Sequence, residues 1–166
     1  MFKKLQIVTL LNMEIYQIHY SKAANFFKSA DHLLYVTLPV VKDVKLVATI
    51  LDNIYFSLAH GMDSVLEYER YHKRILPLTN NFDSRLDIFR KKIIGNYGFA
   101  KEEADFIAEI KKLRDDRKDA SMEFIRSGKF IICSENYRMK TITIEEIKKY
   151  LSTTKNFLLK ADKTIK

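Results

Sequence analysis

Few residues in this chain can interrupt a helix. Across 166 residues it contains four glycines and two prolines. Because these two residue types end many regular elements, their scarcity predicts a few long elements joined by short connections, which favours helices. Apolar residues make up 47% of the chain and charged residues 30%, a composition typical of a folded domain. We therefore predict one domain over residues 1–166 that is long enough to bury a substantial core.

Hydrophobic periodicity divides the chain into five predicted helices. In each of them apolar residues recur every three or four positions, which places them on one side of a helix. The predicted helices cover residues 14–35, 43–73, 81–94, 101–127 and 143 onward. Pro39 is expected to follow the end of the first helix, and Thr143 with Glu146 forms a capping box at the start of the last. Gly61 lies on the apolar stripe of the second helix and predicts a close approach by a neighbouring helix.

Two short apolar runs before the last helix favour β structure. They are KFIIC, residues 129–133, and YRMKTI, residues 137–142, and they flank a polar turn. This pattern predicts a β-hairpin inserted at residues 129–142. Because two strands alone are only marginally stable, the hairpin is expected to pack on the helices. The predicted fold class is all-α, an up-and-down bundle of four to five helices with a small β-hairpin before the last helix.

The N-terminal run and the cysteine content favour a cytoplasmic protein. The first residues, MFKKLQIVTLLN, resemble a signal peptide, but the apolar run is short and lacks a small-residue cleavage pattern. We interpret residues 1–13 as a poorly anchored extension. No stretch has the apolar length that a membrane span requires, so no membrane association is expected. Cys133 is the only cysteine, which excludes an intramolecular disulfide and fits a reducing compartment.

No sequence motif of a known catalytic or metal site is present. The chain has no Walker-type loop, no GxGxxG and no GxSxG. The histidines are His19, His32, His60 and His72, and no two have the i, i+4 spacing of a helical metal site. A metal site would have to be assembled from separate helices. We therefore predict no metal and no cofactor, and we interpret His19 and His72 as structural residues on apolar stripes.

The chain is basic, with a net charge of +8. On the last helix Lys148, Lys149, Lys155 and Lys160 lie away from the apolar stripe, and Arg138 lies in the predicted hairpin. Two interpretations remain open for this surface. The side chains either contact the phosphates of a nucleic acid, or they only solvate the helix.

An arginine interrupts the apolar stripe of the fourth predicted helix. Apart from Arg117, that stripe consists of Phe106, Ile110, Leu113, Ala120 and Phe124. A guanidinium on a core-facing stripe loses its hydration unless a polar partner receives it.

Three interpretations of Arg117, with its neighbour Arg114, remain open. Arg117 pairs with a carboxylate of a neighbouring helix, such as Asp52, Asp63 or Glu69; it lines a dimer interface; or it faces a cleft that holds phosphate, which suits the planar guanidinium.

The order of helices around this arginine resembles the HEPN superfamily, the higher-eukaryote and prokaryote nucleotide-binding domains. The first two long helices of that family are similar to residues 20–69 here, and its motif arginine to Arg117 in LRDDRKDASMEF. Lys118 then holds the polar position that follows the motif arginine. In catalytic members the resemblance implies metal-independent RNA cleavage, with a histidine as acid–base and the arginine stabilising the phosphate. It also implies a homodimer and a nucleotidyltransferase-like protein partner.

The histidine of that motif is missing. Four, five and six intervening residues after Arg117 lead to Met122, Glu123 and Phe124. Glu123 would need a strongly raised pKa to replace the imidazole as a base. We therefore predict no catalytic residue, and any residual activity would fall to Arg117 and Glu123.

Two hypotheses follow from the resemblance and the missing histidine. The first is a non-catalytic HEPN-like protein that acts as a dimeric binding or interaction module. The alternative is an RNA-binding protein or degenerate ribonuclease that uses Arg117 and the basic surface of the last helix. The residues predicted to bind are Arg114, Arg117, Arg138, Lys148, Lys149, Lys155 and Lys160.

Overall fold

A computed structural model describes residues 13–166, so the predicted N-terminal extension, apart from Met13, lies outside the described residues. The described chain is mostly helical, and a small sheet precedes its last helix. The helices are α1 (Ile15–His32), α2 (Val44–Tyr71), α3 (Phe82–Lys92), α4 (Lys101–Lys118) and α5 (Ile144–Ile165). The strands are β1 (Met122–Arg126), β2 (Lys129–Cys133) and β3 (Met139–Thr143). The helical class and the position of the β structure are confirmed, whereas the up-and-down order of the bundle stays a prediction.

The first helix does not end before Pro39 as predicted. It passes into a π-helical turn, Leu33–Thr37, and one further α-helical turn, Leu38–Val41, which contains the proline. The wider π-helical hydrogen bonding immediately before the proline accommodates a residue that has no N–H to donate. The helical run stops at Lys42, whose φ of 53° is left-handed.

Helix α2 is the central element of the fold. It packs most extensively on α1, and also on α5 and α4. Asp43 caps its first turn by accepting a hydrogen bond from the Lys45 amide. A Cβ atom added to Gly61 would lie 2.9 Å from both Phe157 and Leu158 of α5, so the predicted close approach at this glycine is confirmed.

The fourth helix is shorter than predicted, and the sheet is larger. Helix α4 ends at Lys118 rather than near residue 127, and Met122–Arg126 forms an additional strand. The three strands make an antiparallel sheet in the order β1-β2-β3, so the predicted two-stranded hairpin at 129–142 is corrected to a sheet over 122–143.

Ser127 and Gly128, the predicted end of the fourth helix, form a turn between two strands instead. Their φ angles are 52° and 72°, and Arg126 pairs with Lys129 across them. Two consecutive residues with positive φ form the tight turn that matches the twist of a two-residue β-hairpin. Ala120 and Phe124 therefore do not continue the helical stripe, and Arg117 lies in the last turn of α4.

One face of the sheet packs on the helices. Phe130, Ile132 and Ile142 are buried, and Phe130 is the cross-strand partner of Ile142. The same sheet also borders an apolar groove.

Candidate functional site

The side chain of Arg117 is engaged by two carboxylates of the chain itself. Its Nη2 lies 2.6 Å from Oδ1 of Asp52 on α2, and its Nη1 lies 3.7 Å from Oε1 of Glu123 on β1. Only 12% of the Arg117 side chain is exposed. Of the three interpretations left open by the sequence, pairing with Asp52 is the contact that the structure contains. The other two carboxylates considered pair elsewhere, Asp63 with Arg85 and Glu69 with Arg74.

Arg114 shares the same carboxylate. Its Nε donates to Oδ1 of Asp52 at 3.3 Å. The guanidinium carbon lies 4.5 Å from the ring centre of Tyr55 and 4.8 Å from that of Phe56, which are cation–π distances. Two arginines one turn apart on α4 therefore converge on one short segment of α2. We call Arg114, Arg117, Asp52 and Glu123 the arginine cluster.

The contact between Arg117 and Glu123 is loose. At 3.7 Å it is too long for a hydrogen bond, and both Nε of Arg117 and Oε1 of Glu123 are buried without a hydrogen-bond partner. Phosphate approaching Arg117 would meet the negative charges of Asp52 and Glu123. The arrangement therefore holds α4, α2 and β1 together, and the two residues named as catalytic candidates face each other.

Within the described chain, two of the four lysines of the predicted basic surface on α5 are paired with carboxylates, and two are not. Lys148 donates to Glu145 at 2.9 Å, and Lys160 forms an ion pair with Glu103 at the start of α4. Lys149 and Lys155 are exposed and form no ion pair with any residue of 13–166.

The seven residues predicted to bind are not brought together. Arg138 lies in the exposed β2–β3 turn next to Tyr137, whose side chain is 89% exposed. Glu103, the partner of Lys160, and Arg117 lie at opposite ends of α4, about 21 Å apart along its axis. The arginine cluster and this part of the basic surface are therefore separate sites.

An apolar groove that the sequence did not predict lies between the end of α1 and the sheet. Its volume is about 590 Å³. The apolar residues that line it are Leu34, Tyr35, Leu38, Pro39, Val47, Ile125, Phe130 and Ile144. Lys42, Lys129 and Lys148 add positive charge to the lining. The available signal in the sequence is the valine-rich run around Pro39, which by itself predicts only a helix end.

Several apolar side chains of the helical turns between Leu33 and Val41 are exposed to solvent. Val40 is 81% exposed, and Tyr35, Val36 and Val41 are each more than half exposed. Apolar side chains that lie together on a surface often mark a place where another molecule binds.

Two histidines that are far apart in the sequence lie in contact. Nδ1 of His19 on α1 is 3.1 Å from Nδ1 of His60 on α2, and a carboxylate oxygen of Asp63 lies within 4.8 Å of a ring nitrogen of each. Sequence spacing could not reveal this cluster because the two histidines are 41 positions apart on different helices. The only local signal was the i, i+3 spacing of His60 and Asp63. By contrast, His72 packs edge-on against Tyr68 with 4.5 Å between ring centres, as expected of a structural histidine.

None of the helices between residues 13 and 166 combines the length and the apolarity that a membrane span needs. Comparisons with protein-family models, with curated proteins and with solved structures gave no match.

Proposed function

We propose that this chain is a non-catalytic, HEPN-like helical protein that acts as a dimeric binding module, and that the apolar groove beside α1 takes a segment of a partner protein. The groove is the observation that carries the proposal. A volume of about 590 Å³ fits several side chains of a partner, and the apolar lining residues Tyr35 and Ile125 are themselves exposed to solvent.

The charges around the groove select the kind of partner. Lys42 and Lys129 form no ion pair within residues 13–166, whereas Lys148 forms an ion pair with Glu145. A segment with apolar side chains flanked by carboxylates would match this surface in both shape and charge. A second copy of a chain with a net charge of +8 matches it less well. We therefore assign dimerisation to another surface, near α4, as the HEPN resemblance implies. The resemblance also makes a nucleotidyltransferase-like protein a candidate for the partner that binds in the groove.

The state of Arg117 supports the non-catalytic part of the proposal. The motif arginine of a ribonuclease must be free to contact phosphate in the transition state. Here Arg117 is mostly buried and paired with Asp52, and no histidine follows it at the motif spacing.

A designed helical peptide with leucine on one face and glutamate beside it tests the groove. We expect it to bind the full chain, as measured by fluorescence anisotropy, and we expect a peptide with lysine in place of glutamate to bind much more weakly. Ile125→Glu and Lys129→Glu should each weaken binding at least about tenfold, a loss of about 1.4 kcal/mol. Leu159→Glu is the matched control, because Leu159 is also exposed but lies on α5 and does not line the groove.

Two results would contradict the proposal. Equal loss of peptide binding in Leu159→Glu and Ile125→Glu would exclude the groove as the binding surface. A monomer in light scattering at high micromolar concentration would exclude the dimer.

The exposed β2–β3 turn favours RNA binding as a second candidate function. Tyr137 and Arg138 project from this turn, and an exposed aromatic ring beside an arginine suits base stacking and phosphate contact. Replacing Lys148, Lys149, Lys155 and Lys160 by Gln should then lower RNA affinity and reduce its dependence on salt. Unchanged affinity and salt slope would reject this function. RNA cleavage by the wild type that disappears in Arg117→Ala would overturn the non-catalytic assignment.

A further inference from the structure

We propose that His19, His60 and Asp63 form a site for one first-row transition-metal dication of the Zn²⁺ or Co²⁺ type, which links α1 to α2. The proposal is independent of the groove and of the arginine cluster. We call these three residues the histidine cluster.

The distances suit a single metal ion. Two imidazole nitrogens on a tetrahedral zinc lie about 3.3 Å apart, since each Zn–N bond is about 2.05 Å. The Nδ1 atoms of His19 and His60 are 3.1 Å apart, and an oxygen of Asp63 lies within 4.8 Å of a ring nitrogen of each histidine. The Asp63 carboxylate has to move closer to the two nitrogens to fill the third of the four tetrahedral positions. The fourth remains for water, as in zinc sites with three protein ligands.

The surroundings hold the histidine ligands in place before any metal arrives. His60 and Asp63 are one turn apart on α2 and share a face of that helix. The ring of Phe26 stacks on His60 with 2° between the planes and 5.7 Å between centres. His19 comes from α1, the helix that packs most extensively on α2.

Asp63 provides a second, independent indication of a ligand. It is only 5% exposed, and its Oδ1 is buried without a hydrogen-bond partner. Nε of Arg85 lies 3.3 Å from this oxygen, but the two groups are not oriented to form a hydrogen bond, and that nitrogen is also unsatisfied. The guanidinium of Arg85 therefore offsets the charge of Asp63 but leaves its buried oxygen without a hydrogen bond, a costly arrangement that direct coordination to a metal ion would relieve.

The short contact between the two rings fits a histidine–histidine hydrogen bond in the metal-free protein, in which one Nδ1–H donates to the other Nδ1. When a cation binds, the donor ring moves its proton from Nδ1 to Nε2, so that both Nδ1 lone pairs face the metal. No proton is lost from the two rings in this exchange.

The donor set selects the class of metal. Two imidazoles and one carboxylate suit Zn²⁺, Co²⁺, Ni²⁺ or Cu²⁺, whereas Mg²⁺ and Ca²⁺ prefer oxygen ligands in larger numbers. The nearby charges are mixed, because Lys22 and Arg85 oppose a cation at His19 and Glu67 favours it.

Zinc titration of the untagged full chain tests the proposal. Cys133→Ser serves as the background so that no thiol competes for the metal. We expect one Zn²⁺ per chain by calorimetry, with no competition from excess Mg²⁺. His19→Gln and Asp63→Asn should each weaken binding at least about tenfold, since even the loss of outer-shell partners costs 10–100-fold. His72→Gln is the matched control. It removes a histidine that lies at the end of α2 and outside the cluster, so the affinity for zinc should be unchanged.

A spectrum of the protein with an intact cluster covers the case in which a ligand variant fails to fold. Co²⁺ bound to the Cys133→Ser background should give the intense visible bands of tetrahedral cobalt. A weak spectrum like that of the free aqueous ion, the absence of zinc binding, or equal affinity in a folded His19→Gln protein would show that the cluster is only a histidine–histidine hydrogen bond. Each of these results would overturn the proposal.

Discussion

The arginine cluster and the histidine cluster are two polar contacts of the same helix, α2, and they differ in whether their nitrogen atoms offer lone pairs to an added ligand. In the arginine cluster, Asp52 and Glu123 balance the charges of Arg114 and Arg117, whose guanidinium nitrogens only donate. In the histidine cluster, two imidazole nitrogens face each other, and the buried carboxylate of Asp63 is paired with Arg85 without a hydrogen bond between them. The first cluster stabilises the fold without an added ligand, whereas the second has donor atoms available for one.

The largest expected effect is the loss of the shared carboxylate in the arginine cluster. Asp52→Asn leaves two arginines with only Glu123 nearby, and removing one partner of a buried ion pair costs 3–5 kcal/mol. Because Asp52 is 33% exposed, we expect a smaller loss of about 1–2 kcal/mol in the free energy of unfolding, measured in urea. Phosphate should restore part of this stability by binding the freed arginines. An unchanged urea concentration at the midpoint of unfolding would mean that the contacts of Asp52 with the two arginines do not stabilise the fold.

The histidine cluster should instead respond to an added metal. At a zinc concentration about ten times the dissociation constant, the folded state gains about 1.4 kcal/mol. For a chain of this size, that corresponds to a rise in melting temperature of about 3–5 °C. Asp63→Asn should reduce the rise to about 1 °C or less, whereas Asp52→Asn should retain it because its cluster is separate. If the zinc-induced rise in melting temperature were lost equally in both variants, the two clusters would not be independent.

Replacing the planar guanidinium of Arg114 should have a smaller effect on stability. Arg114→Lys keeps the positive charge but loses the planar group that lies on Tyr55 and Phe56. We expect the free energy of unfolding to fall by about 0.5–1 kcal/mol, the size of a partly exposed cation–π contact. Arg90→Lys is the matched control, because Arg90 forms only surface ion pairs. Equal changes in the two variants would mean that the aromatic contact adds nothing.

The two clusters also differ in how far the sequence could predict them. Arg117 was visible because it breaks an apolar stripe, and Asp52 was among the partners considered for it. His19 and His60 were not predicted to meet because their contact depends on how α1 packs against α2. Periodicity gives the face of each helix but not which residues of two faces meet.

The same limit applies to the fold. Helices with clear caps, such as Thr143 with Glu146 at the start of α5, were predicted at the correct position. Residues 119–127 were not, because Ser127–Gly128 can end a helix or join two strands. Only pairing with β2 decides between these structures, and that pairing is a tertiary contact.

The smallest effect should come from an ion pair that adjoins the arginine cluster without belonging to it. Lys111 lies 2.6 Å from Asp115 one turn along α4, and the carboxylate side chain is 44% exposed. Solvent screens such a pair, so Asp115→Asn should change the free energy of unfolding by only about 0.3–0.5 kcal/mol. It removes the same charge as Asp52→Asn and is therefore its matched control in the same urea titration. A loss as large as that of Asp52→Asn would show that general surface charge, and not the convergence of Arg114 and Arg117 on one shared carboxylate, stabilises this end of α4.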